Sequence, residues 1–257
     1  MYETIIVEKK DKIATLSFNR PDVLNAMDFV MREEIRLALI ELERDDNIQV
    51  VVVTGKGRGF CSGADLSATM GTKYRSNAGR KRMRNVFPLY KSIMNSDKIF
   101  IAAINGAVAG SGLSLACCCD FRFAADTSKF GLPFANIGLI PDCGLLYNLP
   151  RLIGLAKTKE LAMLAEKFDA NKALDLGLIT KVVKADDLLP AVDEFAKTLC
   201  KKSYVSLAMT KSLLNRTFEL NFDNLLEYEA GAQDLCFLSD FHNDAIADIL
   251  RNMKSKK

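Results

Sequence analysis

The sequence places one carboxylate in a stretch of otherwise apolar or small residues, FANIGLIPDCGLL (134–146). Stretches of this composition usually form core or the wall of a pocket, where an acid such as Asp142 is unusual. Its apolar neighbours Ile140 and Leu145 are expected to desolvate the carboxyl group and raise its pKa. An acid whose pKa lies nearer neutrality can both remove a proton and return it. The alternative is a structural role, with Asp142 capping a short helix from residue 144 onwards.

Two segments of the sequence are rich in glycine, 55–67 (GKGRGFCSGADLS) and 106–112 (GAVAGSG), and each follows an apolar run typical of a buried strand. Neither segment matches a nucleotide-binding loop. In the second, Leu115 occupies the position of the third glycine of G-x-G-x-x-G, and the first contains no G-K-[ST]. The segments are therefore either tight turns or a source of backbone N–H groups, from two turns, for a developing oxyanion.

The composition is that of an ordinary globular protein, with 49% apolar and 26% charged residues in a chain of 257. This length fits one large domain, or one domain with an appendage. A net charge of +3 is too small to indicate a nucleic acid or a membrane surface as partner. The N-terminal residues do not form a secretory signal, and no apolar run approaches the ~20 residues of a membrane span. We therefore expect a cytoplasmic protein.

Metal and disulfide chemistry find little support in the sequence. The seven cysteines are Cys61, Cys117, Cys118, Cys119, Cys143, Cys200 and Cys236. Their odd number and the lack of C-x-x-C spacing predict reduced thiols that are buried as small hydrophobic side chains. The one histidine, His242, leaves little room for a histidine-based triad or a multi-histidine metal site. We therefore expect no metal.

Strand and helix patterns alternate along the chain until a helical tail begins. Strands are predicted at 3–8, 12–18, 49–55, 98–106, 120–125 and 178–183. Helices are predicted at 27–45, 77–96, 113–119 and, apart from the last strand, nearly throughout from 154, with three in the tail from 203. This order predicts an α/β core with a mostly buried sheet, residues 1–200, and a helical C-terminal subdomain, residues 201–257.

Four segments resemble the crotonase, or enoyl-CoA hydratase/isomerase, superfamily: FNRPDVLNAMD (18–28), VVVTGKGRGFCSGADLS (51–67), IAAINGAVAGSGLSLACCCDFRFAAD (101–126) and FGLPFANIGLIPDCG (130–144). The resemblance extends over nearly the whole chain. It implies a spiral of ββα turns with a helical C-terminal part that trimerises, in a homotrimer or a dimer of trimers. It also implies an acyl-CoA thioester as substrate, with no cofactor beyond the coenzyme A of that substrate.

The resemblance further implies roles for backbone groups in the glycine-rich segments. Two N–H groups hold the enolate oxygen of the thioester, and they correspond here to those of Ser62 and Ser111. Coenzyme A is expected along residues 24–26 and the loop 62–66. The substrate-binding residues expected on this basis are Leu24, Ala26, Gly63, Ala64, Asp65, Leu66, Gly110 and Phe134, with the carbonyls of Ala64 and Leu66 at the adenine. A simpler interpretation of Asp65 is that its carboxylate stabilises a loop turn.

Hydratases of this superfamily use two glutamates, whose positions are occupied here by Ser114 and Phe134. Neither side chain transfers a proton as a carboxyl group does, so ordinary hydration is not expected. Asp142 corresponds to the catalytic acid of the acyl-CoA isomerases, within GLIPD-x-G. The resemblance therefore implies an isomerase that converts a 3-enoyl-CoA to its 2-enoyl isomer, with Asp142 as the group that moves the proton.

Several other interpretations stay open. Isomerases of aromatic-derived acyl-CoA, as in phenylacetate breakdown, also carry the GL-x-PD pattern. A weak hydratase and a non-catalytic acyl-CoA-binding protein are further alternatives, whereas a dehalogenase is disfavoured because the chain has no tryptophan. The basic run KYRSNAGRKRMR (73–84) is either a solvated helix face, an attractor of coenzyme A phosphates or an RNA-binding element, and we expect no nucleic-acid partner.

Overall fold

The protein contains two β-sheets and ten α-helices in the part of the chain that the computed structural model describes, residues 2–67 and 77–255. The strands are β1 (Ile5–Lys10), β2 (Ile13–Phe18), β3 (Val50–Gly55), β4 (Gly59–Cys61), β5 (Ile99–Ile104), β6 (Ala107–Ala109), β7 (Phe121–Ala125), β8 (Lys129–Gly131), β9 (Lys167–Asp169) and β10 (Lys181–Val183). The helices are α1 (Phe29–Glu43), α2 (Ala78–Met94), α3 (Ser111–Cys118), α4 (Leu145–Ile153), α5 (Leu155–Leu164), α6 (Ala170–Asp175), α7 (Leu188–Cys200), α8 (Tyr204–Leu214), α9 (Phe222–Phe237) and α10 (Asp240–Ser255).

The larger sheet has the strand order β1-β2-β3-β5-β7-β10. β1 pairs antiparallel with β2, and the other neighbours are parallel. Every residue of β5 is buried, and so is every residue of β3 except the last. Continuous apolar runs of this kind are expected for strands covered on both faces. Five of these strands fall within segments that the sequence pattern predicts as strands, and β1 overlaps the predicted segment 3–8 but extends two residues beyond it.

The smaller sheet, with the order β4-β6-β8-β9, is not predicted by the sequence pattern. β4 and β6 lie inside the glycine-rich segments, which were expected to be loops and turns, and β9 interrupts the region from 154 expected to be helical. Each of these strands has three residues, too few to show alternation. Glycine allows close backbone approach here, since a Cβ on Gly106 would lie 2.2 Å from the carbonyl oxygen of Arg58.

Helix α1 shows a pattern that sequence reasoning captures well. The Asp28 carboxylate accepts a hydrogen bond from the N–H of Met31 at 2.8 Å and so caps the first turn. The buried side chains lie at helical spacing: Met31, Ile35, Ala38, Leu39 and Leu42. The helix begins at Phe29 and ends at Glu43, within the predicted range 27–45.

The chain forms two compact units, Met1–Lys197 and Thr198–Lys257. The second unit contains α8, α9 and α10, the three helices predicted in the tail. The boundary expected from the sequence lies between residues 200 and 201. In the described part of the chain, no helix is both long enough and apolar enough to cross a membrane.

The cysteines mostly behave as small core residues, as predicted. None of the seven is bridged, and five of them are buried: Cys61, Cys117, Cys118, Cys119 and Cys143. Cys200 and Cys236 are partly exposed. Burial alone therefore accounts for the thiols at the end of α3, for Cys61 in the first glycine-rich segment and for Cys143.

Candidate active site

The two glycine-rich segments lie against each other at Gly63 and Ser111. Gly63 has a φ of +106°, in the left-handed region that favours glycine. A Cβ on Gly63 would lie 3.0 Å from the carbonyl oxygen of Ala109 and 3.5 Å from the amide nitrogen of Ser111. Because a side chain would separate the two backbones, glycine is required here by space as well as by conformation. The two segments thus meet in one site.

The prediction that the Ser62 amide binds an oxyanion is wrong for this conformation. The N–H of Ser62 donates to the carbonyl oxygen of Leu24 at 3.0 Å, so it is already used. The Ser62 hydroxyl donates to the carbonyl oxygen of Val23 at 3.3 Å. Both groups fasten the first glycine-rich segment to residues 23–24 and leave no donor for a ligand.

The amide of Ala64 is the better-placed donor on the same segment. Ala64 forms a parallel bridge with Met27, in which the Met27 N–H donates to the Gly63 carbonyl at 2.7 Å and the Asp65 N–H donates to the Met27 carbonyl at 3.0 Å. In this arrangement the middle residue points its own N–H and C=O away from the partner strand. Within residues 2–67 and 77–255, no hydrogen-bond acceptor contacts the Ala64 N–H.

Helix α3 brings the second set of backbone donors to the site, because it begins at Ser111. The first N–H groups of a helix have no intrahelical acceptor, and the Ser111 N–H has none elsewhere in the described chain. Gly110 precedes it with φ +53° and ψ −129°, a conformation that favours glycine. The Tyr90 hydroxyl donates to the Ser111 carbonyl at 3.2 Å, and the buried Ser111 hydroxyl has no partner among the described residues.

Asp142 lies on an irregular segment before α4 and is not a helix cap. Helix α4 begins at Leu145, its N-cap residue is Gly144, and no side chain caps it. The alternative of Asp142 as a capping residue is therefore wrong. The Asp142 carbonyl oxygen accepts hydrogen bonds from the Leu145 N–H and from the Ser114 hydroxyl, each at 3.0 Å. The main chain of Asp142 is thus anchored, while its carboxyl group takes no part in that anchoring.

Desolvation raises the pKa of Asp142 above its usual value of 3.8, as the sequence predicts. A hydrogen bond with the Cys143 thiol and the positive charges of Arg32 and Arg82 oppose this rise without cancelling it. The Oδ1 atom is buried and has no hydrogen-bond partner among the described residues. A buried oxygen without a partner is costly, and in native proteins such atoms need an explanation such as catalysis.

The neighbours that desolvate Asp142 differ in part from those expected. Leu145 is fully buried, in agreement with the prediction, whereas Ile140 is 73% exposed and contributes little. Cys143 is buried, follows Asp142 directly and has a φ of +54°. A left-handed conformation is strained for a residue other than glycine, and such strain is often found at functional sites.

Ser114 and Phe134 occupy the positions of the two hydratase glutamates, and both are buried. The Ser114 hydroxyl lies 3.2 Å from the Gly110 carbonyl oxygen and 3.0 Å from that of Asp142. The Phe134 Cζ atom would lie 3.9 Å from a Cβ on Gly110, so its ring packs beside the second glycine-rich segment. The structure therefore brings Gly63, Gly110, Phe134 and Asp142 together without a glutamate at either position.

Residues 24–26, expected to line the coenzyme A channel, are held by the fully buried Asn25. Its Nδ2 atom donates to the carbonyl oxygens of Lys56 at 3.0 Å and Gly59 at 2.7 Å. Its Oδ1 atom accepts from the N–H of Arg20 at 2.8 Å. Asn25 and the preceding residue have positive φ values of 56° and 52°. Ala26 is buried and the Leu24 side chain half-buried, so this strained turn depends on the Asn25 amide.

Asn25→Ala is expected to lower the free energy of unfolding by roughly 3 kcal/mol, because the hydrogen bonds of the buried amide to the backbone groups of Arg20, Lys56 and Gly59 are lost. Urea unfolding followed by circular dichroism measures the change. Asn47→Ala is the matched control: the Asn47 amide is exposed and bonds Asp45, so a change within about 0.5 kcal/mol is expected. Equal effects of the two substitutions would contradict the proposed role of Asn25.

Asp65 is engaged within its own loop, and Leu66 is 52% exposed. The Asp65 carboxylate accepts from the Ser67 hydroxyl at 2.6 Å and forms an ion pair with Arg20 at 3.0 Å. Both contacts lower the pKa of Asp65, with Ser67 the larger cause. These contacts favour the simpler interpretation of Asp65 as an acid that stabilises the loop turn.

Most of the described basic run lies on an exposed part of α2. Residues 73–76 of the run 73–84 lie outside the described residues. Arg80, Lys81 and Arg84 are exposed, whereas Arg82 is half-buried and its charge acts on Asp142. These exposed charges are compatible with each of the three interpretations of the run.

Known proteins resemble this chain over nearly its full length. Residues 8–246 match the family model described as enoyl-CoA hydratase/isomerase. The chain is 34% identical to the crotonyl-CoA hydratase of Syntrophomonas wolfei, over 99% of this chain and 97% of that protein. It is 32% identical to the 1,2-epoxyphenylacetyl-CoA isomerase of Escherichia coli, over 97% and 96%. The crystal structure of an enoyl-CoA hydratase from Bacillus anthracis matches with a TM-score of 0.91 at 26% identity, over 99% and 97%. The chain belongs to the enoyl-CoA hydratase/isomerase family.

Membership of the enoyl-CoA hydratase/isomerase family confirms the resemblance and the fold class inferred from the sequence. The protein has the crotonase fold, an α/β core with a C-terminal helical region. Relatives named as hydratases and relatives named as isomerases both align over almost the whole chain. The family therefore establishes acyl-CoA hydratase/isomerase chemistry, and the choice between the two reactions rests on the residues of the site.

Three polar residues of this family member were not singled out by sequence reasoning. Asn25 fixes the strained turn, Tyr90 donates to the Ser111 carbonyl, and Cys143 contacts both the Tyr90 hydroxyl and the Asp142 carboxyl. A helical pattern gives no sign that Tyr90 reaches α3. The sequence offered a signal only for Cys143, because it stands between the proline–aspartate pair and a glycine.

Asp142→Asn is expected to raise the free energy of unfolding of this family member at neutral pH. The folded-state pKa of Asp142 is raised, so the unfolded state ionises first as pH rises above 3.8, and ionisation then favours unfolding. Below pH 3.8 the acid is protonated in both states, and the advantage of asparagine should vanish. Thermal unfolding of the wild type and of Asp142→Asn, from below pH 3.8 to neutral pH, measures this difference in stability. The exposed Asp46→Asn serves as the control, with no change expected.

Proposed function

We propose that the protein converts a 3-enoyl-CoA to the conjugated 2-enoyl-CoA by a 1,3 proton transfer through Asp142. The observation that supports this most is the Asp142 carboxyl group, which has a raised pKa and a buried oxygen without a partner among the described residues. The main-chain carbonyl of Asp142 is joined through the Ser114 hydroxyl to the turn that carries Ser111. At the two hydratase positions, Ser114 and Phe134 supply no second carboxyl group.

The reaction would proceed in two proton transfers. The Asp142 carboxylate removes a proton from C2 of the substrate, and the electron pair moves onto the thioester oxygen to give a dienolate. The protonated Asp142 then donates that proton to C4, the electrons return, and the double bond lies between C2 and C3. No water is added and no electron leaves, so the only coenzyme needed is the coenzyme A of the substrate.

The charge on the thioester oxygen would be stabilised by two backbone N–H groups, those of Ser111 and Ala64. Both belong to the glycine-rich segments that meet at Gly63, and neither donates to another group in the described chain. Hydrogen-bond donors that are already oriented stabilise the developing negative charge more than solvent water does, because they need not reorient during the reaction. Residues 24–26 and Leu66 would border coenzyme A, as the family resemblance implies.

A second candidate is isomerisation of an aromatic-derived acyl-CoA. It is favoured by the 32% identity to the 1,2-epoxyphenylacetyl-CoA isomerase of Escherichia coli over 97% of this chain. The same carboxylate and the same backbone donors would serve either substrate. Hydration remains a third outcome, because the 34% identical relative from Syntrophomonas wolfei is named a crotonyl-CoA hydratase.

The deciding experiment mixes the purified protein with 3-hexenoyl-CoA and follows the absorbance of the conjugated thioester. A rise that is absent with Asp142→Ala supports the isomerase. In a parallel reaction, loss of the signal of 2-hexenoyl-CoA would indicate a hydratase instead. If neither thioester changes, the proposal fails, and turnover of an epoxyphenylacetyl-CoA or tight binding without turnover becomes the next measurement.

We also propose that the protein assembles as a homotrimer or a dimer of trimers. The unit Thr198–Lys257 exposes large apolar side chains, including Phe222 at 73% and Leu238 at 81%, as expected for a surface that a partner subunit covers. Light scattering coupled to size exclusion gives the mass in solution. A monomer of 28.4 kDa at micromolar concentration would contradict this assembly.

A further inference from the structure

We infer that Ser114 is a positioning residue that fixes the Asp142 carboxyl group relative to the backbone donor of Ser111; this inference rests on the proposed function. Ser114 is fully buried, and its hydroxyl lies 3.0 Å from the Asp142 carbonyl oxygen. It lies on the first turn of α3, the helix that begins at Ser111. One rigid turn therefore carries the oxyanion donor and the group that holds the base.

The segment that carries Asp142 needs such an anchor because it has no regular secondary structure from 139 to 142. Its other main-chain bond at Asp142, from the Leu145 N–H at 3.0 Å, is local and cannot fix the segment against α3. The Ser114 hydroxyl joins residues 28 positions apart in sequence. Together with the Asn148–Cys118 contact between α4 and α3, it therefore fixes the two halves of the site relative to each other.

The single proton of the Ser114 hydroxyl has two acceptors within reach. The Gly110 carbonyl lies at 3.2 Å, four residues earlier in the chain, and the Asp142 carbonyl lies at 3.0 Å. A serine in a helix often donates to the carbonyl four residues earlier, but this hydroxyl has a closer acceptor in another segment. Because the Ser114 side chain is fully buried and tied to these carbonyls, it acts through Asp142 and not on the substrate.

Ser114→Ala, Ser114→Thr and Ser114→Val test this role with 3-hexenoyl-CoA. Threonine and valine have nearly the same shape, so the two variants differ mainly by the hydroxyl. Threonine should retain kcat within about threefold, whereas valine and alanine should lose roughly 10- to 100-fold, as expected for a small displacement of a catalytic group. KM should change less than about twofold, and the acid limb of the pH profile should shift because the Asp142 environment changes.

Ser128→Ala provides the matched control. Ser128 is also fully buried, and its hydroxyl also donates to a carbonyl oxygen, that of Ile104 at 2.9 Å. Its loss is expected to leave kcat unchanged. Equal kcat for Ser114→Val and Ser114→Thr, or equal loss in Ser128→Ala, would overturn the positioning role.

A double substitution separates positioning from a general structural effect. In the Asp142→Asn background, Ser114→Ala should cause no further loss of residual kcat, because the group that it positions is already absent. A further loss of roughly tenfold or more would mean that Ser114 acts independently of Asp142. If the wild type shows no isomerisation, the proposed function fails. If the wild type is active and the Ser114 variants are not impaired, only the positioning role fails.

Discussion

Asp142→Asn is expected to lower kcat for 3-hexenoyl-CoA by roughly 10³-fold or more, because general acid–base groups contribute about 10²- to 10⁴-fold. Asparagine keeps the shape of the side chain but cannot take up the proton. The raised pKa of Asp142 also predicts that kcat/KM of the wild type falls as pH decreases through a value above 3.8, since the base must be ionised. Steady-state kinetics across pH measure both effects.

Binding of the thioester should survive this substitution, since the backbone donors of Ser111 and Ala64 are unaffected. Calorimetric titration with 2-hexenoyl-CoA tests this, and an affinity within about fivefold of wild type is expected. Asp142→Glu serves as the second comparison, because it keeps a carboxyl group but moves it by one methylene. Retention of more than a tenth of the activity in Asp142→Asn would place the base elsewhere.

Gly112→Ala should impair both folding and catalysis. A Cβ on Gly112 would lie 2.3 Å from the carbonyl oxygen of Cys61 and 2.8 Å from its sulfur, so α3 must move away from the first glycine-rich segment. Overpacking of this kind costs about 3 kcal/mol, and displacement of the Ser111 donor should reduce kcat/KM by roughly 100-fold. Denaturant unfolding and steady-state kinetics measure the two effects.

The matched control is Gly231→Ala, which adds the same methyl group to a helical glycine of α9. Apart from its chain neighbours and the backbone of its own helix, no atom of the described chain lies within 4 Å of that Cβ position. Alanine is the better helix former, so a gain of about 0.5–1 kcal/mol is expected. If Gly112→Ala behaves like Gly231→Ala, the close contact between α3 and Cys61 is absent in solution.

Sequence reasoning predicted the elements whose patterns are long enough to read. The strands β3 and β5 are continuous apolar runs, and α1 has both a capping acid and a buried face. The four strands of the smaller sheet have three residues each, and their pairing depends on backbone contacts at glycines. Such contacts are long-range and leave no periodic signal in the sequence.

For the candidate site, the sequence predicted the character of the acidic residue better than the hydrogen bonds of the backbone. The raised pKa of Asp142 follows from local composition, and burial of Leu145 agrees with it. The assignment of the Ser62 amide was wrong because its acceptor, the Leu24 carbonyl, lies 38 residues earlier in the chain and makes its contact only in the fold. The exposure of Ile140 likewise depends on how its segment turns.

The rate at which the buried cysteines are alkylated reports how often the site opens to solvent. Burial raises the pKa of Cys61 and of Cys143 to about 12, and only a thiolate that meets solvent reacts with an alkylating reagent. Cys61 lies in the first glycine-rich segment and Cys143 adjoins Asp142, so each thiol becomes labelled only when its own half of the site opens. Partly exposed Cys200 and Cys236 set the reference rate within the same molecule. Mass spectrometry of the labelling rate of each cysteine therefore measures the opening of the two halves of the site separately, and no engineered probe is needed.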